Sequence, residues 1–413
     1  MTNPQKIIVI GAGICGVSTA IWLRRAGHEV LLLDKTGPGA GASFGNAGLL
    51  AQWAIVPVNR PGIMQTGLKY MFSPKSPLFM QWSYFPKLFP WLIKYISRAN
   101  DADTRRTVEA LIPLLSDSVE QHIALTRGTR AEKWIAQSDL SFAYDTRAKF
   151  DADSYGWDLR REAGFEVELI EGRAVQEAEP ILNGNITCLA VMKNHGHILN
   201  PGDYLIDLVQ VLRDEGGQYR QAEVRNITLT DGRITSVETD HGSLPCDRAV
   251  LTAGIWSKPL MRKLGVKVML EAERGYHLHY KNASLLPNNP LMMASGKFAV
   301  NPMGANLRCA GIVELGGIEK PPSQAPFRLL RGQVAKYFND FTYDSVEEWM
   351  GFRPSTPDSL PLIGEIGQTH VMAGFGHQHI GLTAGPKTGR ILADLISGQR
   401  SNIDLSAYDA NRF

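Results

Sequence analysis

The sequence predicts an α/β fold organised around a nucleotide-binding βαβ unit, and three observations carry the prediction. The chain opens with the apolar run Lys6-Ile7-Ile8-Val9-Ile10, the turn Gly11-Ala12-Gly13-Ile14-Cys15-Gly16, a helical stretch, and Val30-Leu31-Leu32-Leu33-Asp34. That is a strand, a glycine turn, a helix and a second strand ending in an acid, the order of a phosphate-binding unit. The length of 413 residues exceeds one typical core, so two domains are expected. From about 266 to 345 the pattern turns to strands, which points to a second sheet.

The glycine turn has a physical purpose. Gly11, Gly13 and Gly16 permit a tight turn and let backbone approach a pyrophosphate, while the helix N-terminus stabilises negative charge. Asp34 lies 18 residues after Gly16, where an acceptor for a ribose hydroxyl is needed. An ordinary glycine turn is the bland alternative, but strand, helix and acid all stand in register here. Thr36 to Leu50 reads TGPGAGASFGNAGLL, with almost no large side chain except Phe44. Small residues let backbone amides reach a ligand; a surface loop is the alternative.

The remaining elements follow in order. Residues 51–145 look mainly helical and aromatic, and Asp101 to Arg127 carries Val108, Leu111, Ile112, Leu115, Val119 and Ile123 at helical spacing. Within this region Pro77 to Ile96 reads PLFMQWSYFPKLFPWLIKYI. A buried helix pair broken by Pro86 and Pro90 is the leading expectation. Interfacial membrane contact is the other, because aromatic rings and lysines suit the headgroup boundary. Shorter helices are expected at Asp151–Ala163 and Val175–Glu179, and a longer one from Pro201 to about Glu215, ended by Gly216-Gly217. Glu223 to Leu229 and Arg233 to Glu238 alternate around Asp231-Gly232, a hairpin signal. Arg248 to Thr252 reads as a buried strand leading into Ala253-Gly254. Further strands are expected near Val268–Ala272, Tyr276–Tyr280, Leu307–Val313 and Val371–Ala373, with helices near Leu329–Phe338 and Gly385–Leu395.

Composition excludes several classes. A formal net charge of +2 gives no reason to expect nucleic acid as a partner. Cys15, Cys188, Cys246 and Cys309 are scattered without metal-ligand spacing, so no metal site is expected and a reduced, cytoplasmic chain is the simplest expectation. The first strand is too short to be a signal h-region. No run of about twenty apolar residues is present, so no transmembrane helix is expected.

Taken together, GAGICG with Asp34, AVLTAGIWS (249–257), GFRPSTPDSLPLIG (351–364) and GFGHQHIGLTAGPKTGRILADLI (374–396) resemble the FAD-dependent D-amino acid oxidase/dehydrogenase superfamily, which includes glycine oxidase and sarcosine oxidase. SFGNAGLL (43–50) and ERGYH (273–277) are most similar to the bacterial D-amino acid dehydrogenase branch. The resemblance implies a discontinuous Rossmann-like FAD domain from 1–60, 146–262 and 349–413. It implies an α+β substrate domain with a large, mostly antiparallel sheet from 61–145 and 263–348.

It also implies site residues. Gly11, Gly13 and Gly16 would line the pyrophosphate, with Asp34 at the ribose and Lys35 beside it. Ser43, Asn46 and Gly48 would lie on the loop toward the flavin, and Val224 would offer backbone to the adenine. Ala253 and Gly254 would approach the cofactor from a strand end. Gly376, Gly381, Leu382 and Thr383 would face the flavin pyrimidine from a turn and helix start. Arg353 in GFRP matches the arginine that holds an amino-acid carboxylate, a task suited to a planar guanidinium. Tyr276 is a candidate to touch the carboxylate or cap the pocket, and Arg274 a candidate second partner sharing its face. His377 and His379 are expected beside the flavin edge, with His377 the favoured of the two.

The chemistry implied is oxidative deamination of a D-amino acid by hydride transfer from Cα to flavin N5, with no obligatory protein base. Electrons would pass to a quinone or another acceptor, at the inner face of the membrane if contact is made there. Residues 310–413 contain no cysteine for the covalent attachment seen in sarcosine-oxidase relatives, so noncovalent FAD is expected. Oxidation of a secondary or cyclic amino acid such as D-proline, hydroxyproline, sarcosine or glycine is the alternative on the same scaffold. A non-enzymatic FAD-containing subunit and an NAD-linked dehydrogenase fit the sequence less well.

Overall fold

The computed structural model describes residues 3–63 and 78–413. The expected unit at the start of the chain forms as Lys6–Ile10, the helix Ile14–Arg25 and Glu29–Asp34. These strands lie in a six-stranded sheet with the order Leu362–Glu365, Val371–Phe375, Arg248–Leu251, Lys6–Ile10, Glu29–Asp34 and Gln218–Gln221. All its pairings are parallel except that between Leu362–Glu365 and Val371–Phe375. Parallel strands are covered on both faces, which is why they read as unbroken apolar runs. The helix Ile14–Arg25 packs against Pro201–Asp214 and the last helix, Gly381–Ile396. Glycines permit the last contact. A Cβ at Gly385 would come within 2.8 Å of Ile14, and one at Gly389 within 2.5 Å of the Thr19 amide.

The second sheet runs Ser345–Ser355, Glu271–Lys281, Asn306–Leu315, Phe298–Met303, Leu291–Met293, Ile135–Tyr144, Cys188–Ile198 and Leu49–Leu50. Two short strands, Leu78–Met80 and Glu168–Glu171, join it off this path. It is mostly antiparallel, as expected. A small sheet of Val224–Thr230, Arg233–Thr239 and Gly242–Pro245 stands apart, with Asp231 and Gly232 both at positive φ in its hairpin turn.

Several elements differ from expectation. Ile135–Tyr144, placed in a helical region, is a ten-residue strand. Cys188–Ile198, placed with the nucleotide-binding unit, hydrogen-bonds to it within the large sheet. Both gain their backbone partners from each other, a non-local pairing that local pattern does not reveal. The strands expected near 268–272 and 276–280 form one, Glu271–Lys281. Part of the GFRP segment lies in Ser345–Ser355. The helical spacing from Asp101 divides into Asp101–Leu115 and Ser118–Thr126, and the Asn100 side chain caps the first.

In the aromatic segment the strand Leu78–Met80 and a 3-10 turn at Trp82–Tyr84 lead into one helix, Phe85–Ser97, rather than a broken pair. Pro86 sits in the first turn, where its missing N–H costs nothing. Pro90 lies on the exposed side, so the carbonyl it fails to satisfy faces water. Leu88 and Trp91 are buried, whereas Phe89 and Ile93 are about half exposed, as is Trp82 just before the helix. Core packing therefore holds for one stripe only. Pro77 itself lies outside the described residues.

Candidate functional site

A cavity of about 1200 Å³ runs between the two sheets. Ligand pockets are commonly about 300–1,000 Å³, so this one has room for a dinucleotide and a small substrate together. Gly11, Gly13, Asp34, Lys35, Ser43, Asn46, Val224, Ala253, Gly254, Gly376, Gly381, Leu382 and Thr383 all line it. Gly16 and Gly48 stand behind the wall, where they permit close approach. A Cβ at Gly16 would lie 1.8 Å from the Gly11 carbonyl oxygen, and one at Gly48 would lie 2.3 Å from Asn301 Nδ2.

Local chemistry shapes the nucleotide end. Gly11 adopts φ +107, which only glycine takes easily, and carries the chain out of the strand. Asp34 Oδ2 accepts from the Ala12 amide at 2.8 Å, and Oδ1 from the amides of Thr36 and Gly37. The acid thus organises the turn as well as facing the cavity. Ser43 Oγ accepts from the Ile14 amide at the start of the first helix. Lys35 lies 3.9 Å over the Trp256 ring, and burial lowers its pKa. At the far side Gly376 has φ +89, and the helix starting at Gly381 has no side-chain cap; its first residues Gly381, Leu382 and Thr383 line the cavity. Two helix starts, glycines where backbone must come close, and an acid at the second strand end fit FAD along this wall.

The other end of the cavity is built from the large sheet. Glu273 pairs with Arg353 and Gly275 with Gly351 across antiparallel strands. Glu273, Gly275, Gly351 and Arg353 all line the cavity. Arg353 lies across Gly275, because a Cβ there would come within 2.9 Å of the guanidinium carbon. Burial lowers the Arg353 pKa, and Glu273 opposes the shift. Burial raises the Glu273 pKa, and Arg353 opposes that one. The aromatic helix closes this end: Trp91, Leu92 and Tyr95 line the cavity, and Trp91 Nε1 donates to the Ser355 carbonyl.

Two candidates face the other way. Arg274 and Tyr276 alternate with Glu273 and Gly275, so the pleat sends them to the opposite face of the sheet. Arg274 is fully buried, pairs with Glu314 at 3.2 Å and donates to the carbonyls of Gly317, Lys320 and Pro321. The Tyr276 hydroxyl donates to Glu314 at 2.6 Å and accepts from the Ser323 amide. Both brace the back of the sheet, and neither lines the cavity. The expectation that they touch substrate is corrected. Their neighbours were one residue away in ERGYH, and Gly275 was the clue, since a glycine inside a strand marks a close approach.

His377 lines the cavity, but its nitrogens are engaged by Cys15 Sγ at 3.6 Å and Thr388 Oγ1 at 2.9 Å. Burial lowers its pKa to about 3, so it is a neutral ring joining the first and last helices rather than a base. Burial also drives the Cys15 thiol up to about 12, which leaves it unreactive. His379 lines the cavity too and, unlike His377, is exposed there; desolvation, and secondarily Arg353, lowers its pKa to about 4. His195 and His197 lie in the second sheet at Cys188–Ile198. No cluster able to hold a metal occurs among the described residues.

Comparison with known proteins follows the same lines. The sequence profile described as FAD dependent oxidoreductase matches residues 6–395. A protein named D-amino-acid oxidase from Bradyrhizobium diazoefficiens is 34% identical over the whole of both chains. One named D-amino acid dehydrogenase from Allorhizobium ampelinum is 27% identical over 99% of this chain and all of its own. The crystal structure of glycine oxidase from Geobacillus kaustophilus superposes with a TM-score of 0.75 at 20% identity, covering all of both chains, which shows a shared fold.

Proposed function

The chain belongs to the FAD-dependent oxidoreductase family, and from that premise we propose that it oxidises D-amino acids to imino acids, which hydrolyse to 2-oxo acids and ammonia. The observation that carries this reading is Arg353 laid over Gly275 in a cavity continuous with the glycine-lined nucleotide wall. A guanidinium so placed takes a substrate carboxylate through two parallel hydrogen bonds and fixes its orientation. Bound FAD supplies the acceptor for the hydride. Trp91 and Tyr95 exclude water from the same end. Burial leaves His377 too weak a base to accept a proton and the Cys15 thiol too weak an acid to give one up, so neither takes part. The full-length relative named an oxidase and the one named a dehydrogenase both support an amino acid in the D configuration.

The test is anaerobic mixing of the holoenzyme with a panel of D-, L- and cyclic amino acids. Flavin bleaching by D-amino acids is expected, and bleaching by none of them overturns the reading. For the electron acceptor we infer a quinone, supported by the exposed Trp82, Phe89 and Ile93 on the outer side of the helix that closes the cavity. No helix among the described residues is long and apolar enough to cross a membrane, so any contact would be peripheral. Reduced enzyme should reoxidise faster with a quinone analogue than with air. Rapid peroxide formation in air overturns that choice.

A further inference from the structure

Glu273 lines the cavity beside Arg353, and carboxylate binding by that arginine gives it no purpose. It stands directly opposite Arg353 in the strand register and opens onto the same cavity. Its nearest like charge on that strand face, Glu271, is already engaged by the Tyr84 hydroxyl and the Ala272 amide, both at 2.9 Å. A carboxylate set beside the arginine meant to hold an anion should weaken that anion's binding by repulsion. An acid at such a position makes sense if the ligand carries a cation next to its carboxylate.

We propose that Glu273 receives the substrate's α-ammonium group, so that Arg353 and Glu273 together read an amino acid as a zwitterion. This rests on the amino-acid reading above. The two side chains come from paired positions on neighbouring strands, about 4.5–5.5 Å apart at their Cβ atoms, and an α-carboxylate and its ammonium are separated by one carbon. One cross-strand pair can therefore present a cation to one end and an anion to the other. Burial raises the Glu273 pKa and Arg353 holds it back, so an arriving ammonium also restores a counter-charge to a carboxylate whose arginine has turned to the substrate. The arrangement discriminates against simple carboxylates, which meet Arg353 but bring nothing for Glu273.

The experiment compares matched ligands on the holoenzyme: D-alanine with propionate, and D-proline with cyclopentanecarboxylate. Each pair differs only in its nitrogen. Affinity for the amino acid is taken from the concentration dependence of anaerobic flavin reduction, and affinity for the carboxylate from perturbation of the flavin spectrum. Glu273→Gln is expected to weaken the amino acid by about tenfold to a hundredfold, while the matched carboxylate binds as well as before or better. Equal weakening of both, or no change in either, overturns the proposal. If Glu273→Gln loses its flavin, Glu273→Asp keeps the charge and withdraws it by one methylene; the same selective loss is expected, and its absence overturns the proposal. If the unaltered enzyme is reduced by no amino acid, the functional reading itself fails. If it is reduced and the variants show no selectivity, only the role of Glu273 fails.

Discussion

The two ends of the cavity are made in different ways. The nucleotide end is built from backbone: Gly11 and Gly376 at positive φ, and the starts of the helices at Ile14 and Gly381. The end proposed for substrate is built from side chains on paired strands, Arg353 against Glu273, with Trp91 and Tyr95 lining the cavity beside them. A backbone cradle needs only a short glycine spacing, because its groups belong to every residue. A side-chain site needs the right face of the right strand. One step along Glu271–Lys281 exchanges a cavity residue for a structural one, as Glu273 and Arg274 show.

The sharpest way to separate those two neighbours is to remove Arg274. Arg274→Ala would leave Glu314 buried without its cation, a loss expected to cost about 3–5 kcal/mol of stability. Unfolding by denaturant measures it, and KM for amino acid below the transition should stay near normal. A selective rise in KM would return Arg274 to the substrate. At the nucleotide end, Gly16→Ala forces a Cβ into the Gly11 carbonyl, and a cost of about 3 kcal/mol with loss of FAD is expected. Flavin content of the purified variant checks it, and full retention would show that the turn is not the cradle.

Arg353→Ala should do the reverse. It should keep FAD and lose roughly a hundredfold in kcat/KM, close to 3 kcal/mol, and Arg353→Lys should recover little because a point charge cannot replace the fork. Near-normal kinetics in both variants would remove Arg353 from the site. The smallest effect on turnover is expected at His377. Its ring stays neutral in the fold down to about pH 3, while in the unfolded chain it gains a proton below about pH 6.5. The unfolded state therefore binds more protons as pH falls, and stability drops between those values by at most about 1.4 kcal/mol per pH unit. Above pH 6.5 the contribution is fully present. His377→Asn should flatten this slope in unfolding curves taken from pH 7 to pH 4, with kcat changed little.

Much of this molecule was legible because its signals are local. The parallel strands at 6–10 and 248–251 are covered on both sides and so read as apolar runs. Asn200-Pro201 and Asp231-Gly232 mark a helix start and a hairpin by turn chemistry alone. The strands Ile135–Tyr144 and Cys188–Ile198 were not legible, since each is stabilised by the other from about fifty residues away. The aromatic composition of Phe85–Ser97 is legible, but not that one stripe lines the cavity while the other meets solvent.

By itself, then, the sequence determined the nucleotide cradle, the division into two sheets and the arginine of GFRP, because glycine spacing, apolar runs and a motif need no distant partner. Only the tertiary structure decided which residues face that arginine. Strand register set Glu273 against Arg353, the pleat turned Arg274 and Tyr276 to the other face, and Gly275 left room for the guanidinium to cross. Each depends on a pairing between strands about eighty residues apart, and no local pattern carries that information.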